Sequence, residues 1–123
     1  MIAYTTLGTN DFPRATAFYD QLLAGLGAKR ALEMDRLILW ANNPGAPMLA
    51  VCKPFDGKTA TVGNGTMVSL GAGSKAEVDR LHALALSLGA KDEGAPGSRG
   101  PGFYIGYFRD LDGNKLNFFS GGG

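Results

Sequence analysis

The chain has 123 residues, 45% of them hydrophobic and 19% charged, which is the composition of one ordinary globular domain with a sizeable core. Twelve Lys and Arg residues against 11 Asp and Glu residues leave a formal net charge of +1, so there is no electrostatic case for binding nucleic acid or an anionic membrane. A single cysteine, Cys52, excludes an internal disulfide. The N-terminus has no signal-peptide pattern, and no apolar run reaches the ~20 residues of a membrane span. We therefore expect a cytoplasmic protein.

The first half of the chain predicts a strand, a helix and further strands. Residues 2–8, IAYTTLG, are typical of a strand. A helix is predicted within residues 10–29, because Asp11 suits the N-cap, Pro13 falls in the first turn and apolar residues recur at helical spacing. Three strand-like runs follow the helix, at Ala28–Glu33, 32–42 and 46–54.

The second half repeats this order. Residues 65–71, GTMVSLG, predict a strand, and a helix follows within residues 73–91. Ser74 and Glu77 form a capping-box pattern at its start, and Gly89 suits the C′ position at its end. A glycine- and proline-rich stretch is expected to separate a short strand from the last two strands, and the closing GGG is expected to be a disordered tail. The three strand-like runs are Ala90–Glu93, 102–110 and 114–120.

The two halves are predicted to be repeats. The tetrapeptide LGAK occurs at 26–29 and again at 88–91, and similar strands flank both copies. Each half then has the order β-α-β-β-β, with repeat 1 at about 1–60 and repeat 2 at about 64–120. Because halves of this size bury little alone, we expect one α+β domain over 1–123, in which tandem βαβββ modules form a curved mixed sheet with a cleft.

Three features are interpreted as structural. His82, the only histidine, lies at the border of the second helix's apolar face and is expected to be a packing or surface residue. Cys52 ends an apolar strand, and the adjacent Lys53 points to the opposite face, so Cys52 is expected in the core or at an edge. Residues 71–75, GAGSK, lack the spacing of a phosphate-binding loop and are expected to form a strand–helix turn.

The sequence resembles the vicinal oxygen chelate superfamily, which includes glyoxalase I, bleomycin-resistance proteins, fosfomycin-resistance proteins and extradiol dioxygenases. YTTLGTNDFPRATAFYDQLL is similar to its opening strand and helix, and GNGTMVSLGAGSKAEVDRLHALALSLGA to the opening of its second half. YFRDLDGNKLNFF resembles its closing Asp-Pro-Asp-Gly-Asn-x-hydrophobic-Glu signature. The resemblance covers nearly all of residues 1–120 and implies a homodimer, often with the cleft between subunits. It does not fix the function, because the superfamily hosts many chemistries.

The resemblance also implies where a metal would bind in the metal-dependent members, whose halves supply ligands from their first and last strands. The positions of the family's His, His and Glu ligands are Tyr4, Met67 and Asn117 here, and a fourth position falls within PMLAVC, residues 47–52. Zinc, nickel, iron and manganese take imidazole and carboxylate ligands, and a phenol, a thioether and an amide replace them poorly. We therefore predict no metal site and no cofactor.

The same positions suit an organic ligand held by contact area and a few hydrogen bonds. Tyr104 is preferred to Tyr107 as the tyrosine that reaches the cleft. The alternatives are that the cleft residues fill it as core, that Trp40 is a core or interface residue and that Arg99 is a solvated surface residue. The predicted ligand-binding residues are Tyr4, Trp40, Met67, Ser69, Arg99, Tyr104 and Asn117.

Three functional hypotheses follow. The leading one is a glyoxalase/bleomycin-resistance-like protein that binds a small amphipathic organic molecule without a metal and sequesters or carries it. The second is a lyase or dioxygenase of the same superfamily, with a non-standard metal site or metal-free acid–base chemistry. The third is a structural or regulatory dimer without a ligand. No catalytic residue is assigned, and the carboxylates best placed for the second hypothesis are Glu33, Asp35, Asp92 and Glu93.

Overall fold

Two helices and eight strands make up the part of the chain described by a computed structural model, residues 1–121. In chain order they are β1 (Tyr4–Gly8), α1 (Phe12–Ala24), β2 (Lys29–Glu33), β3 (Leu37–Ala41), β4 (Met48–Cys52), β5 (Val68–Gly71), α2 (Lys75–Ser87), β6 (Lys91–Ser98), β7 (Phe103–Arg109) and β8 (Lys115–Gly121). The chain divides into two compact units, Met1–Gly63 and a second that begins at Asn64. Each unit has the predicted order β-α-β-β-β. That the two units form one domain stays a prediction.

The first unit is a mixed four-stranded sheet with α1 on one face. The strand order is β1-β4-β3-β2, with β1 parallel to β4 and the other pairs antiparallel. Side chains on one face alternate with those on the other, so the register assigns every strand residue to a face. Leu7, Ile38 and Val51 share the buried face that α1 covers. Tyr4 and Thr6 lie on the opposite face, which we call the far face of the first sheet.

The second unit repeats the arrangement with α2. The strand order is β5-β8-β7-β6, with β5 parallel to β8. The helix contacts β6, β7 and β8, and Leu81, Phe108 and Phe118 form the centre of the core between them. Ser69 and Asn117 point away from the helix, onto the far face of the second sheet. Each of the predicted βαβββ modules thus contributes one four-stranded mixed sheet.

Both predicted N-caps are present. The Asp11 carboxylate accepts a hydrogen bond from the backbone N–H of Arg14 at 3.1 Å. The Ser74 hydroxyl accepts one from the N–H of Glu77 at 3.2 Å. Each bond satisfies an N–H group that the first helical turn cannot pair within itself. Gly89 has a φ of +105°, the left-handed conformation predicted for the C′ position of the second helix.

One strand is longer than the sequence indicates. The short strand predicted around Ala90–Glu93 continues as β6 through the glycine- and proline-rich stretch to Ser98. β6 is an edge strand, so the missing N–H of Pro96 removes no bond from a second neighbour. Two register shifts, on either side of Gly94, absorb the irregular backbone.

The C-terminal glycines and the helices complete the description. Gly121 ends β8, so the expected disordered tail does not begin there, while residues 122 and 123 lie outside the described residues. Neither helix within residues 1–121 is long and apolar enough to cross a membrane.

Candidate functional site

A rung of polar side chains crosses the far face of the second sheet. Ser69 on β5 pairs with Asn117 on β8, which pairs with Tyr107 on β7. Paired residues direct their side chains to the same face, and neighbouring strands lie ~4.8 Å apart. The hydroxyl, amide and phenol therefore follow one another over about 10 Å, the length of a small organic molecule.

Asn117 is the buried centre of this rung. Its side chain is only 2% exposed, and its Nδ2 lies 3.6 Å from the sulfur of Met67. Its Oδ1 is buried and has no hydrogen-bond partner among the described residues. A buried polar atom without a partner costs about 1–3 kcal/mol. A donor from another molecule would remove that cost.

Two cations lie over the Tyr107 ring. The guanidinium carbon of Arg99 is 5.6 Å from the ring centroid, and the Lys115 Nζ is 5.4 Å from it. The negative face of an aromatic ring attracts cations at such distances. The Arg99 guanidinium is also held by two backbone carbonyls, because it donates to Ala95 at 2.8 Å and to Ser98 at 3.3 Å. Positive charge is thus concentrated at one end of the rung.

Glycines on β6 make room for the Arg99 side chain. A Cβ at Gly97 would lie 2.8 Å from Arg99 Nη1, and one at Gly94 would lie 3.5 Å from Nη2. The first distance is shorter than real Cβ contacts allow, so any larger residue at Gly97 would displace the guanidinium. The glycine-rich sequence of this edge strand therefore positions Arg99.

Glu93, a carboxylate on β6, is paired with Arg109. Arg109 donates to Glu93 Oε1 at 2.7 Å, and this bond is the main reason why the pKa of Glu93 lies below its ordinary value. The fields of Lys91 and Lys115 lower this pKa further. Glu93 is therefore ionised at neutral pH and paired with Arg109.

Four predicted site residues of the second unit lie at or beside the rung. Ser69 and Asn117 belong to the rung, Met67 contacts Asn117 and Arg99 lies over Tyr107. In the first unit, Tyr4 lies on the far face at the start of β1 and is 51% exposed.

Trp40 is not on a far face, which corrects the expectation that it contributes contact area to a ligand. It shares the helix-facing side of the first sheet with Leu49 and is 2% exposed. Its Nε1 donates to Asp20 on α1 at 3.0 Å, and Arg30 donates twice to the same carboxylate at 2.8 Å. The bonds from Arg30 and Trp40 hold the pKa of Asp20 below its ordinary value. Trp40 is a core residue, one of the alternatives that the sequence left open.

Tyr104 is also on the helix side of its sheet, so the preference for Tyr104 over Tyr107 is corrected. The Tyr104 hydroxyl donates to Asp79 on α2 at 2.7 Å, and this bond raises the pKa of Tyr104. Residues three apart on a strand point to opposite faces, which leaves Tyr107 on the far face beside Asn117. A signal was present in the sequence, because Gly106 and Phe108 flank Tyr107 and suit the helix-packed side.

The register identifies the fourth position at which the family resemblance implies a metal ligand. Ser69 pairs with Asn117 in the second unit, and its counterpart Thr6 pairs with Ala50 in the first. The four positions therefore hold Tyr4, Ala50, Met67 and Asn117, a phenol, a methyl, a thioether and an amide. None of these four side chains is an imidazole or a carboxylate, the donors that zinc, nickel, iron and manganese take. Elsewhere in residues 1–121, no three His, Cys, Asp or Glu side chains are grouped so that they could hold a metal ion.

The carboxylates considered for acid–base chemistry have structural partners. Arg30 donates to Glu33 at 2.8 Å, and Arg109 donates to Glu93. Asp92 Oδ1 accepts from the N–H of Gly94 and lies 3.2 Å from the Nε2 of His82. Asp35 is exposed in the turn between β2 and β3.

A cavity in the first unit was not expected from the sequence. Its volume is about 510 Å³, and it lies where the turn between β3 and β4 approaches the start of β1 and β2. The lining includes Ile2, Lys29, Asn43 and Met48, and Met48 is the register partner of Tyr4. Residues far apart in sequence line this cavity, so no local motif predicts it.

Comparisons with known proteins agree with the fold. A family profile described as the Glyoxalase/Bleomycin resistance protein/Dioxygenase superfamily matches residues 1–118. The solved structure of a glyoxalase/bleomycin resistance protein from Albidiferax ferrireducens is 31% identical over 97% of this chain and 97% of that chain, with a TM-score of 0.86. A lactoylglutathione lyase from Agrobacterium tumefaciens is 25% identical over 97% of this chain and 92% of that chain, with a TM-score of 0.70.

A more distant structure shares the fold alone. A fosfomycin resistance protein from Mesorhizobium loti is 16% identical over 99% of this chain and 92% of that chain, with a TM-score of 0.73. The comparison with curated proteins gave no match.

Proposed function

We propose that this chain, which belongs to the glyoxalase/bleomycin resistance protein/dioxygenase superfamily, binds a small amphipathic organic molecule without a metal ion and so sequesters or carries it. The observation that carries the proposal is the buried, unpartnered amide oxygen of Asn117, at the centre of the rung on the far face of the second sheet. Binding sites of this kind combine apolar contact area with a few well-placed polar groups.

The residues of the rung and its two neighbours, Met67 and Arg99, divide into those two roles. Met67 and the Tyr107 ring supply contact area, while Ser69, Asn117 and Arg99 supply hydrogen bonds and charge. Because Met67 is 40% exposed and touches the Asn117 amide, moving its flexible side chain would give a ligand access to that amide. Tyr4, on the far face of the first sheet, stays a predicted ligand-binding residue.

The lyase or dioxygenase alternative lacks a donor set at the positions where the family resemblance implies one. Tyr4, Ala50, Met67 and Asn117 offer neither an imidazole nor a carboxylate. The similar lyase from Agrobacterium tumefaciens is 25% identical, and that likeness does not carry an activity over to this chain. Whether the protein binds a metal separates the proposal from the metal-dependent form of this alternative.

The first experiment is a metal titration of the chelator-stripped protein with zinc, nickel, manganese and iron(II), followed by thermal unfolding. A ligand that binds only the native state raises the unfolding temperature. We expect no saturable rise with any of the four metals, because the four positions do not offer suitable donor atoms. A stoichiometric rise with one metal would contradict the proposal and restore the enzyme alternative.

A double variant supplies the positive control for this titration. Met67→His together with Asn117→Glu places an imidazole and a carboxylate at two side chains whose Nδ2 and sulfur are already 3.6 Å apart. We expect this variant to gain a zinc-dependent rise in unfolding temperature that the parent protein lacks. Ser87→His with Lys58→Glu, at exposed positions in different units, is the matched control that should not gain it.

The second experiment looks for the organic ligand directly. A panel of small aromatic and aliphatic molecules, neutral and anionic, is titrated into ¹⁵N-labelled protein. Saturable shifts of the backbone amides of Ser69, Tyr107 and Asn117 are expected from the molecules that bind. A panel without any saturable shift would overturn the proposal in favour of a dimer that binds no ligand.

A further inference from the structure

We infer that the ligand is a small organic acid whose anionic group is bound by Arg99 and Lys115, the two cations beside Tyr107 on the far face of the second sheet. The inference rests on the proposed function and narrows it to a chemical class. A neutral amphipathic compound would satisfy the general proposal but not this one. Three features of the second unit support the narrower class.

The first feature is two cations on one ring. Arg99 and Lys115 both lie within 5.6 Å of the Tyr107 centroid. Each is attracted to the ring, while their like charges repel one another. An anion between them would be attracted by both. No other ring in the described chain has two cations over it.

The second feature is the contrast with most of the other arginines. Arg14, Arg30, Arg80 and Arg109 each lie within 4 Å of a carboxylate. Arg36 instead lies over the Phe55 ring and donates to the backbone carbonyl of Lys53. In the part of the chain that the structure describes, Arg99 has no carboxylate at that distance and donates to two backbone carbonyls instead. Those bonds occupy two of the five N–H donors of a guanidinium. The remaining donors suit the planar oxygens of a carboxylate or phosphate.

The third feature is that the position of Arg99 depends on glycine. The guanidinium lies where a Cβ on Gly97 would come within 2.8 Å of Nη1. Gly97 does not have a left-handed φ, so its backbone does not require a glycine. The requirement is for space, and the side chain that uses the space is Arg99.

The rung also defines the other end of the ligand. Asn117 pairs with Tyr107 on the neighbouring strand, so its unpartnered oxygen lies about 5 Å along the rung from the cationic end. An oxygen acceptor binds an O–H or N–H donor. The chemical class is therefore an organic acid that carries a hydroxyl or amine about one ring away from its acid group.

The test compares acids with their neutral amides on the folded full-length protein. The first pair is 4-hydroxybenzoate and 4-hydroxybenzamide, with benzoate to remove the hydroxyl donor, and dissociation constants come from ¹⁵N NMR titration at neutral pH and low salt. We expect the acid to bind about tenfold or more tightly than the amide. We also expect benzoate to bind more weakly than 4-hydroxybenzoate, and the preference for the acid to shrink at high salt.

Three variants test which residues cause the preference for the acid over the amide. Arg99→Met and Lys115→Met each remove one charge, and Gly97→Ala keeps all charges but displaces the guanidinium. Each should weaken binding of the acid more than binding of the amide, so that the acid-to-amide ratio of affinities falls severalfold. Lys58→Met, which removes one exposed charge in the first unit, is the matched control and should preserve the ratio. Thermal unfolding of every variant verifies that it is folded.

The outcomes separate this inference from the proposed function. Equal affinity for acid and amide, or a preference that survives in Arg99→Met and Lys115→Met, overturns the organic-acid class and leaves the binding function standing. Binding of neutral panel molecules alone does the same. A panel in which nothing binds removes both proposals together.

Discussion

Gly106 and His82 show how one small residue positions a helix on a sheet. His82 is buried on α2, and its Nε2 lies 3.0 Å from the backbone carbonyl oxygen of Tyr107. A Cβ at Gly106 would come within 3.0 Å of the His82 ring and of Pro96. The only histidine of the chain is thus a packing residue, as the sequence indicated. Because it anchors α2 behind Tyr107, it supports the rung from the opposite side of the sheet.

The first prediction at the residue scale is that Gly106→Ala destabilises the protein by about 1–3 kcal/mol, because the added methyl overpacks a dense contact. Gly71→Ala is the control, since a Cβ there would meet nothing within 4 Å and Gly71 has no left-handed φ. Urea denaturation measures both free energies of unfolding. Equal effects from the two substitutions would show that the contact between Gly106 and His82 is not tight.

Trp40 and Tyr104 were predicted to bind the ligand, and both were found on the helix side of a sheet for the same physical reason. Trp40 and Tyr104 each have a polar group that is already bonded to an aspartate on the covering helix, Asp20 and Asp79 respectively. An aromatic side chain with a polar end suits a ligand site and a helix–sheet contact equally well. The side of the sheet on which it lies decides between them.

At the scale of elements, the starts of the two helices were the easiest features to predict from the sequence. Asp11 and Ser74 have side chains that accept a bond from the N–H three residues later, and such a bond forms within one turn. The length of strand β6 was the hardest to predict. Its glycines and Pro96 disfavour strands, yet pairing with β7 on one side overrides local preference.

The element-scale prediction concerns these caps. Asp11→Ala and Ser74→Ala should each lower the free energy of unfolding by about 1 kcal/mol, because each leaves an N–H of the first turn without its partner. Ser87→Ala, near the end of α2, is the matched control and should change it by less than about 0.5 kcal/mol. The measurement is urea denaturation monitored by circular dichroism. A loss at Ser87 as large as that at Ser74 would argue against a specific capping effect.

At the scale of the whole molecule, the same order and pairing of elements occur in both units. The first strand of each unit pairs in parallel with the last, and the pairs Thr6–Ala50 and Ser69–Asn117 occupy matching places. Repetition of this order does not repeat the chemistry. The second unit has a polar rung and two cations at the place where the first has a methyl group on Ala50.

The whole-molecule prediction is a homodimer, which the family resemblance implies. Large apolar side chains in the first unit support it, since Leu32 is 47% exposed and Met34 is 57% exposed. Sedimentation velocity should give twice the 12.9 kDa mass of one chain. Leu32→Glu should weaken the dimer relative to Lys58→Glu, a control at another exposed position. A monomer at every concentration would contradict the prediction.

The sequence by itself determined the order of the elements, the repeat, the helix caps and the chemical character of Tyr4, Met67 and Asn117. These follow from local preferences and residue types, which need no knowledge of distant partners. Only the tertiary structure decided that Tyr107 rather than Tyr104 faces away from α2 and that Trp40 packs under α1. It also decided that Ala50 is the counterpart of Asn117 in the first unit and that Arg99 lies over Tyr107. Strand register and helix packing set these outcomes, and both depend on contacts between residues far apart in the chain.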